Sequence, residues 1–230
     1  MGIILNAECS NCKKSSDFFG MLDKEDLAEI DRHKVSIQYN KGEVIFKQGA
    51  PAHDFVCVTS GLVKLYLENE NSPDLVIGLI RPVNYIFEPG FFVDKHHHFT
   101  AMAAEDTHAC LVDFNVINKL SSMRPAFARE LIDRNSQQTL RLLERIASCT
   151  HKHVYGKVAD ALLYLHPGVY PENPFDLSIS RQDIANLAGI TKESMIRVLK
   201  KFREDCVIAL DGNHLEILDR EKLQVISRKG

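Results

Sequence analysis

No uninterrupted apolar run in these 230 residues approaches the roughly 18 needed for a membrane helix, which argues against a helical span. Met1 to Leu5 has neither a basic start nor an apolar stretch long enough for an export signal, so a cytoplasmic location is expected. Excess charge is also lacking. The net charge at pH 7 is −3, made up of −4 as far as Thr150 and +1 beyond it. Any nucleic-acid partner must therefore be held by a local cluster and a helix terminus rather than by a global field. No nucleophile motif or phosphate-binding loop is present, so no catalytic activity is expected. Cysteine occurs without a disulfide pattern. Cys9, Cys12, Cys57, Cys110, Cys149 and Cys206 are scattered, and reduced thiols are expected. Only Cys9 and Cys12 stand at a ligand-like spacing.

What is there is ordinary globular material, 45% hydrophobic and 26% charged. From about Val35 to Asp113 the chain reads as short strands broken by turn residues, with runs at Val44 to Phe46, Phe55 to Thr59, Val63 to Leu67 and Leu75 to Ile80. Turn signals at this spacing predict an antiparallel sandwich or barrel. Pro125 suits a first helical turn, and no further Gly or Pro follows as far as Thr150. Within that helix Ala128, Ile132, Asn135, Thr139, Leu142, Ile146 and Cys149 recur at alternating steps of four and three. Such a seam fits a dimer interface with Asn135 setting register, and it equally fits an amphipathic helix packed on its own domain. Val154 to Leu165 reads as a further helix, and Leu177 to Ile179 as a short strand. Val207 to Leu210 and His214 to Leu218 flank Asp211-Gly212-Asn213 as a hairpin.

Between Arg181 and Phe202 lies the most informative segment. Ser180 caps a first helix with Asp183 three residues on, Gly189 ends it, and Thr191 caps a second helix. Ile184, Ala188, Ile190, Met195 and Val198 are apolar at the offsets of two crossing helices, and small Ala185 lets them approach. This is a helix-turn-helix, and with the hairpin behind it a winged helix. A recognition helix presents its N-terminal residues to base edges, here Lys192, Glu193, Ser194, Ile196 and Arg197. Arg pairs bidentately with guanine, Glu accepts from cytosine N4, and Ile meets a thymine methyl. Glu193 and Arg197, four apart on one face, also fit a plain surface ion pair. Arg181, Gln182, Thr191, Lys200 and Lys201 suit phosphates.

The run Ser180-Arg-Gln-Asp-Ile-Ala-Asn-Leu-Ala-Gly-Ile-Thr-Lys-Glu-Ser-Met-Ile-Arg-Val-Leu-Lys resembles the recognition motif of the CRP/FNR family, the cyclic-AMP receptor and fumarate-nitrate regulators. Lys41-Gly-Glu-Val-Ile-Phe-Lys-Gln-Gly and Ser60-Gly-Leu-Val-Lys resemble that family's opening strands, so the likeness extends from about Cys9 to Leu218. It implies an α+β protein with an N-terminal antiparallel β-roll of the cyclic-nucleotide-binding type, a long dimerisation helix and a C-terminal winged helix-turn-helix. The corresponding divisions are residues 1–117, 118–150 and 151–230. The resemblance also implies a homodimer on a two-fold symmetric double-stranded operator, with RNA polymerase as partner. Glu193 and Arg197 fall on its base-reading positions. Ile196 departs from the small or hydroxylated residues found there in its two best-known branches.

The signal is less legible. Against the nucleotide branch's Gly-Glu-Leu turn and Arg-Ser pair stand Phe87-Glu88-Pro89-Gly90 and His98-Phe99. An anion held in a roll needs a cation and backbone donors; here His replaces Arg, and Pro89 removes a donor. Glu88, Gly90, His98 and Phe99 thus mark a pocket not expected to hold cyclic AMP. Cys9 and Cys12 resemble the Cys-x-x-Cys pair with which the family's iron-sulfur branch holds its cluster, and Cys110 falls at the distant ligand. The resemblance thus offers an iron-sulfur cluster as cofactor, with Phe18 where a fourth ligand belongs and Asp17 or Cys57 as substitutes. A thiol switch between Cys9 and Cys12 is a further reading, as is an unliganded roll filled by Phe87, Phe91, Phe92 and Phe99. His96-His97-His98 reads as a solvated loop; a metal there implies instead a metal- or redox-binding module or cupin-like enzyme with an accessory helical domain.

Overall fold

The computed structural model describes residues 2–3, 18–71 and 73–230, so Cys9, Cys12 and Asp17 lie outside the described residues. Two compact units emerge, one of Met1–Glu68 with Leu79–Leu140, the other of Asn69–Gly78 with Arg141–Gly230.

The first unit is built on strands β1 (Gly2–Ile3), β2 (Lys34–Tyr39), β3 (Val44–Phe46), β4 (Asp54–Ser60), β5 (Val63–Leu67), β6 (Leu75–Ile80), β7 (Asn84–Ile86), β8 (Thr100–Ala103) and β9 (Thr107–Asp113), with β6 straddling the division. One sheet has the order β1-β2-β9-β4-β7 and the other β3-β8-β5-β6, with antiparallel registers. This is the expected roll. Turn residues close it: Gly61 holds φ of +88°, and a Cβ there would lie 2.5 Å from the Asp106 carbonyl oxygen. Only glycine satisfies both demands.

Helices α1 (Lys24–Arg32), α2 (Gly90–Val93), α3 (Phe114–Met123) and α4 (Pro125–His151) complete the unit, α4 running on into the second. A core of Phe18, Phe55, Tyr85, Phe91, Phe114, Phe127 and Leu131 packs the large sheet against them. The rings of Phe18 and Tyr85 lie 4.3 Å apart, and those of Phe91 and Phe114 stack at the same distance. Aromatic pairs in these geometries add to simple area burial. Of the four phenylalanines proposed as a filling, Phe87, Phe91 and Phe99 are buried, whereas Phe92 is 55% exposed. Arg124 ties Asp23 and Asp26 of α1 to the end of α3, and the Asp23 carboxylate also caps α1. Backbone donors and Arg124 hold Asp23 below the usual carboxylate range.

In the second unit α5 (Val154–Leu165) packs with α6 (Arg181–Ala188), α7 (Lys192–Glu204) and α8 (Arg220–Lys229). A small sheet of β10 (Phe175–Asp176), β11 (Ile208–Asp211) and β12 (His214–Ile217) has the order β10-β12-β11. The strand expected at Leu177 to Ile179 is instead β10, two residues earlier. The reason is local: the backbone N–H of Ser178 donates to the Tyr170 hydroxyl rather than to a ladder. Arg145 ties the Asn69–Gly78 segment to the helices of this unit. Its Nη2 donates to the carbonyl of Val76 at 2.6 Å and to that of Leu187 at the end of α6, with Tyr164 beneath the guanidinium. Burial pushes its pKa down. Among the described residues no helix is long and apolar enough to cross a membrane.

Candidate nucleic-acid interface

The geometry of α6 and α7 follows from three caps. The Ser180 hydroxyl accepts from the Asp183 N–H at 3.0 Å, and the Asp183 carboxylate accepts from the Ser180 N–H at 2.9 Å, a reciprocal capping box. Gly189 then adopts φ of 62°, and the Ile190 N–H returns to the Ala185 carbonyl, the closure typical of a left-handed helix end. The Thr191 hydroxyl accepts from the Ser194 N–H at the start of α7. A Cβ on Gly189 would stand 3.1 Å from the Cys149 sulfur. Gly189→Ala is therefore expected to cost more than the roughly 1–2 kcal/mol of a left-handed non-glycine residue. Gly212→Ala, at φ of +54° with open space around it, isolates the backbone part of that cost. Urea unfolding of the two variants measures the difference; equal losses would remove the Cys149 contact from the account.

Four residues of α7, Met195, Val198, Leu199 and Phe202, are buried at helical spacing. The opposite face is left to solvent: Lys192, Glu193, Ile196, Arg197, Lys200 and Lys201 are all exposed. Among the described residues Glu193 and Arg197 form no ion pair with each other or with any neighbour. The plain salt bridge between them is therefore absent, and both carry unengaged hydrogen-bonding groups on an outward helix face. Ser194 differs, being half-buried with its hydroxyl 3.2 Å from that of Thr191.

The phosphate candidates divide. Lys200 is loosely opposed by Glu204 at 3.9 Å, and Lys201 is paired with Asp205 at 2.8 Å, which raises its pKa. Gln182 donates to Asn186, and the Thr191 hydroxyl is spent on its cap. Arg181, the first of the phosphate candidates, is half-buried. Its Nη2 donates to the Gly212 carbonyl at the wing turn, and its Nη1 is buried without a hydrogen-bond partner. It anchors the wing to the start of α6. Arg203 was not singled out from the sequence. It joins Arg181, Ile196, Leu199, Lys200 and Leu210 around a pocket of about 230 Å³ between α7 and β11. Its spacing of seven from Ile196 was the available signal.

On α4 the seam residues fall into two groups. Ile132, Leu142 and Ile146 are 61%, 40% and 51% exposed, Thr139 is exposed, and Asn135 and Ala128 are half-buried. Leu140 and Leu143 widen this uncovered apolar stripe. Cys149 leaves it, since its sulfur packs on the Gly189 turn.

The roll does not assemble its four pocket candidates into an open site. Glu88 is buried and accepts from the N–H groups of Gly90 and His98 and from His97 Nδ1. His97 rather than His98 is thus its side-chain partner, stacked on Phe46 at 3.8 Å. The His98 ring is exposed and meets Asp94, while Phe99 is buried. Among the described residues no three His, Cys, Asp or Glu side chains converge as a metal site, so the three-histidine run does not form one. Phe18, at the missing fourth ligand position, is fully buried core, and Cys110 is half-buried on β9. An iron-sulfur ligand set is not assembled by the described residues, and the Cys9–Cys12 switch lies outside them.

Comparison with known proteins agrees with both units. Residues 36–123 match the cyclic nucleotide-binding domain and residues 156–226 the Crp-like helix-turn-helix domain. The chain is 27% identical over 207 residues to electron transport regulator A of Shewanella oneidensis, covering 88% of this chain and 82% of that one. It is 27% identical over 225 residues to the transcriptional activator protein Anr of Pseudomonas protegens, covering 93% and 89%. Among solved structures, FixK2 from Bradyrhizobium japonicum superposes with a TM-score of 0.78 at 21% identity, over 84% of this chain and 96% of that one.

Proposed function

This chain belongs to the CRP/FNR family of DNA-binding transcription regulators, and from that premise we propose that it reads a two-fold symmetric operator as a homodimer. Glu193 and Arg197 contact base edges in the major groove, with Lys192 and Ile196 beside them and Ser194 held in the cap. Arg203 and Lys200 face the phosphates, with Lys201 and Gln182 contributing after exchange of their present partners. The observation that carries this reading is the pair of unengaged, exposed side chains on the outward face of α7. Residues 118–150 pair two chains through the stripe from Ile132 to Ile146, 1–117 receive the signal, and 151–230 bind DNA. RNA polymerase is the partner such regulators address, and the cytoplasm is where they meet it. Cyclic AMP is not expected as the signal: Glu88 is buried and engaged by Gly90, His98 and His97 of its own chain, and among the described residues no arginine contacts it. The alternative of a metal-bearing or cupin-like roll has no observation on its side.

Selection from random double-stranded DNA tests the reading. The enriched sequence is expected to be a palindrome with half-sites about 34–36 Å apart, one helical turn. Enrichment of asymmetric sequences, or of none, would overturn it.

A further inference from the structure

Strand register brings together two thiols that are 53 positions apart in the chain. Cys57 on β4 stands directly opposite Cys110 on β9, and neither is bridged. The same row continues across the sheet: Ser36 on β2 opposes Cys110, and Tyr85 on β7 opposes Cys57. Ser36 Oγ lies 3.5 Å from the Cys110 sulfur, and the buried Tyr85 hydroxyl has no hydrogen-bond partner. A line of Ser, Cys, Cys and Tyr thus crosses four strands of the large sheet. Cys57 belongs to the aromatic core of the first unit, and Cys110 packs against it.

We propose that Cys57 and Cys110 are a redox pair that closes to a cross-strand disulfide on exposure to a hydroperoxide. Directly opposed residues of antiparallel strands have Cα atoms about 4.5 or 5.5 Å apart. Both spacings lie within the roughly 4.4–6.8 Å that a disulfide spans. Exposure sets the order of events, since Cys110 is half-buried while Cys57 is only 4% exposed. The Cys110 thiol gives up its proton and the thiolate attacks the hydroperoxide; an S–O bond forms, the O–O bond breaks, and the leaving hydroxide or alkoxide takes up that proton and departs as water or an alcohol. The Ser36 hydroxyl is placed to donate to that sulfur. The Cys57 sulfur then attacks the Cys110 sulfenic acid; the S–S bond forms, the S–O bond breaks, and a second water carries off the Cys57 proton. Two thiols are oxidised and one hydroperoxide is reduced. A dithiol reductant reverses the bridge by exchange. Nothing in this chemistry depends on DNA binding.

The test uses the full-length reduced chain, treated anaerobically with one equivalent of hydrogen peroxide. Non-reducing digestion and mass spectrometry then locate the products. The expected result is a linked peptide containing Cys57 and Cys110, a loss of about 2 Da per chain from two hydrogens, and recovery of both thiols with dithiothreitol. In Cys57→Ala the Cys110 sulfenic acid is expected to persist and be captured by dimedone. Should that variant not fold, the wild-type peptide map decides by itself. Cys110 joined to another cysteine, left unoxidised, or carried to sulfinic acid without a Cys57 link would overturn the pairing.

Discussion

Arg197→Ala is expected to abolish specific operator binding while leaving the fold intact. A bidentate arginine-guanine contact is worth about 1–3 kcal/mol of discrimination, roughly a 5- to 150-fold loss for each half-site. A symmetric dimer carries the contact twice, so the two losses compound when both half-sites are read. The stability cost is expected to stay within about 0.5 kcal/mol, because the side chain is exposed and enters no ion pair. Fluorescence anisotropy on the selected palindrome at fixed salt gives the affinity, and a thermal melt gives the fold. Unchanged affinity would sink the assignment of α7 as the reading helix. Lys200→Ala is a useful control: loss of a phosphate contact weakens all sequences alike and flattens the salt dependence.

Ile146→Asp, with Ile132→Asp as its companion, is expected to dissociate the dimer. Both side chains are at least half exposed, so the isolated chain loses little, whereas across a symmetric seam each substitution sets like charges near one another in a desolvated strip. Sedimentation is expected to show a monomer for the variants and the proposed dimer for the unsubstituted chain. Operator affinity should fall by about 10²–10⁴-fold, the advantage that linking two half-site contacts confers. A dimer that survives both substitutions would place the interface elsewhere. Leu131→Asp shows the contrast, since Leu131 is buried in the first unit's own core and its replacement should unfold rather than dissociate the chain.

Features governed by short stretches of chain were legible in the sequence. The capping box at Ser180, the left-handed Gly189, the Thr191 cap, the limits of β6 and the unbroken run of α4 all depend on residues within a turn or two. Their physics is local, so the pattern of residues is enough. That held for the helix-turn-helix as a motif and for the strand-rich roll as a class. It failed at β10, where the Tyr170 hydroxyl draws the Ser178 N–H out of the ladder, and at Phe92, whose apolar side chain faces outward.

Contacts between distant segments were settled by the tertiary structure. Periodicity marked a seven-residue seam on α4, but only packing separated Cys149, pressed on the Gly189 turn, from the exposed Ile132, Leu142 and Ile146. Charge pattern offered Glu193 and Arg197 as either an ion pair or base readers, and side-chain placement left them unpaired. Arg181 changed from a phosphate contact to an anchor for the wing because Gly212, 31 residues away, presents it with a carbonyl. Glu88 meets the His97 ring rather than that of His98, because the chain turns His97 into the core beside Phe46 and leaves the His98 ring exposed against Asp94. The helix-turn-helix was therefore a property of the sequence itself. Which of its side chains remain available to DNA, and which cysteines face one another in the roll, were decided by register and burial between segments tens of residues apart.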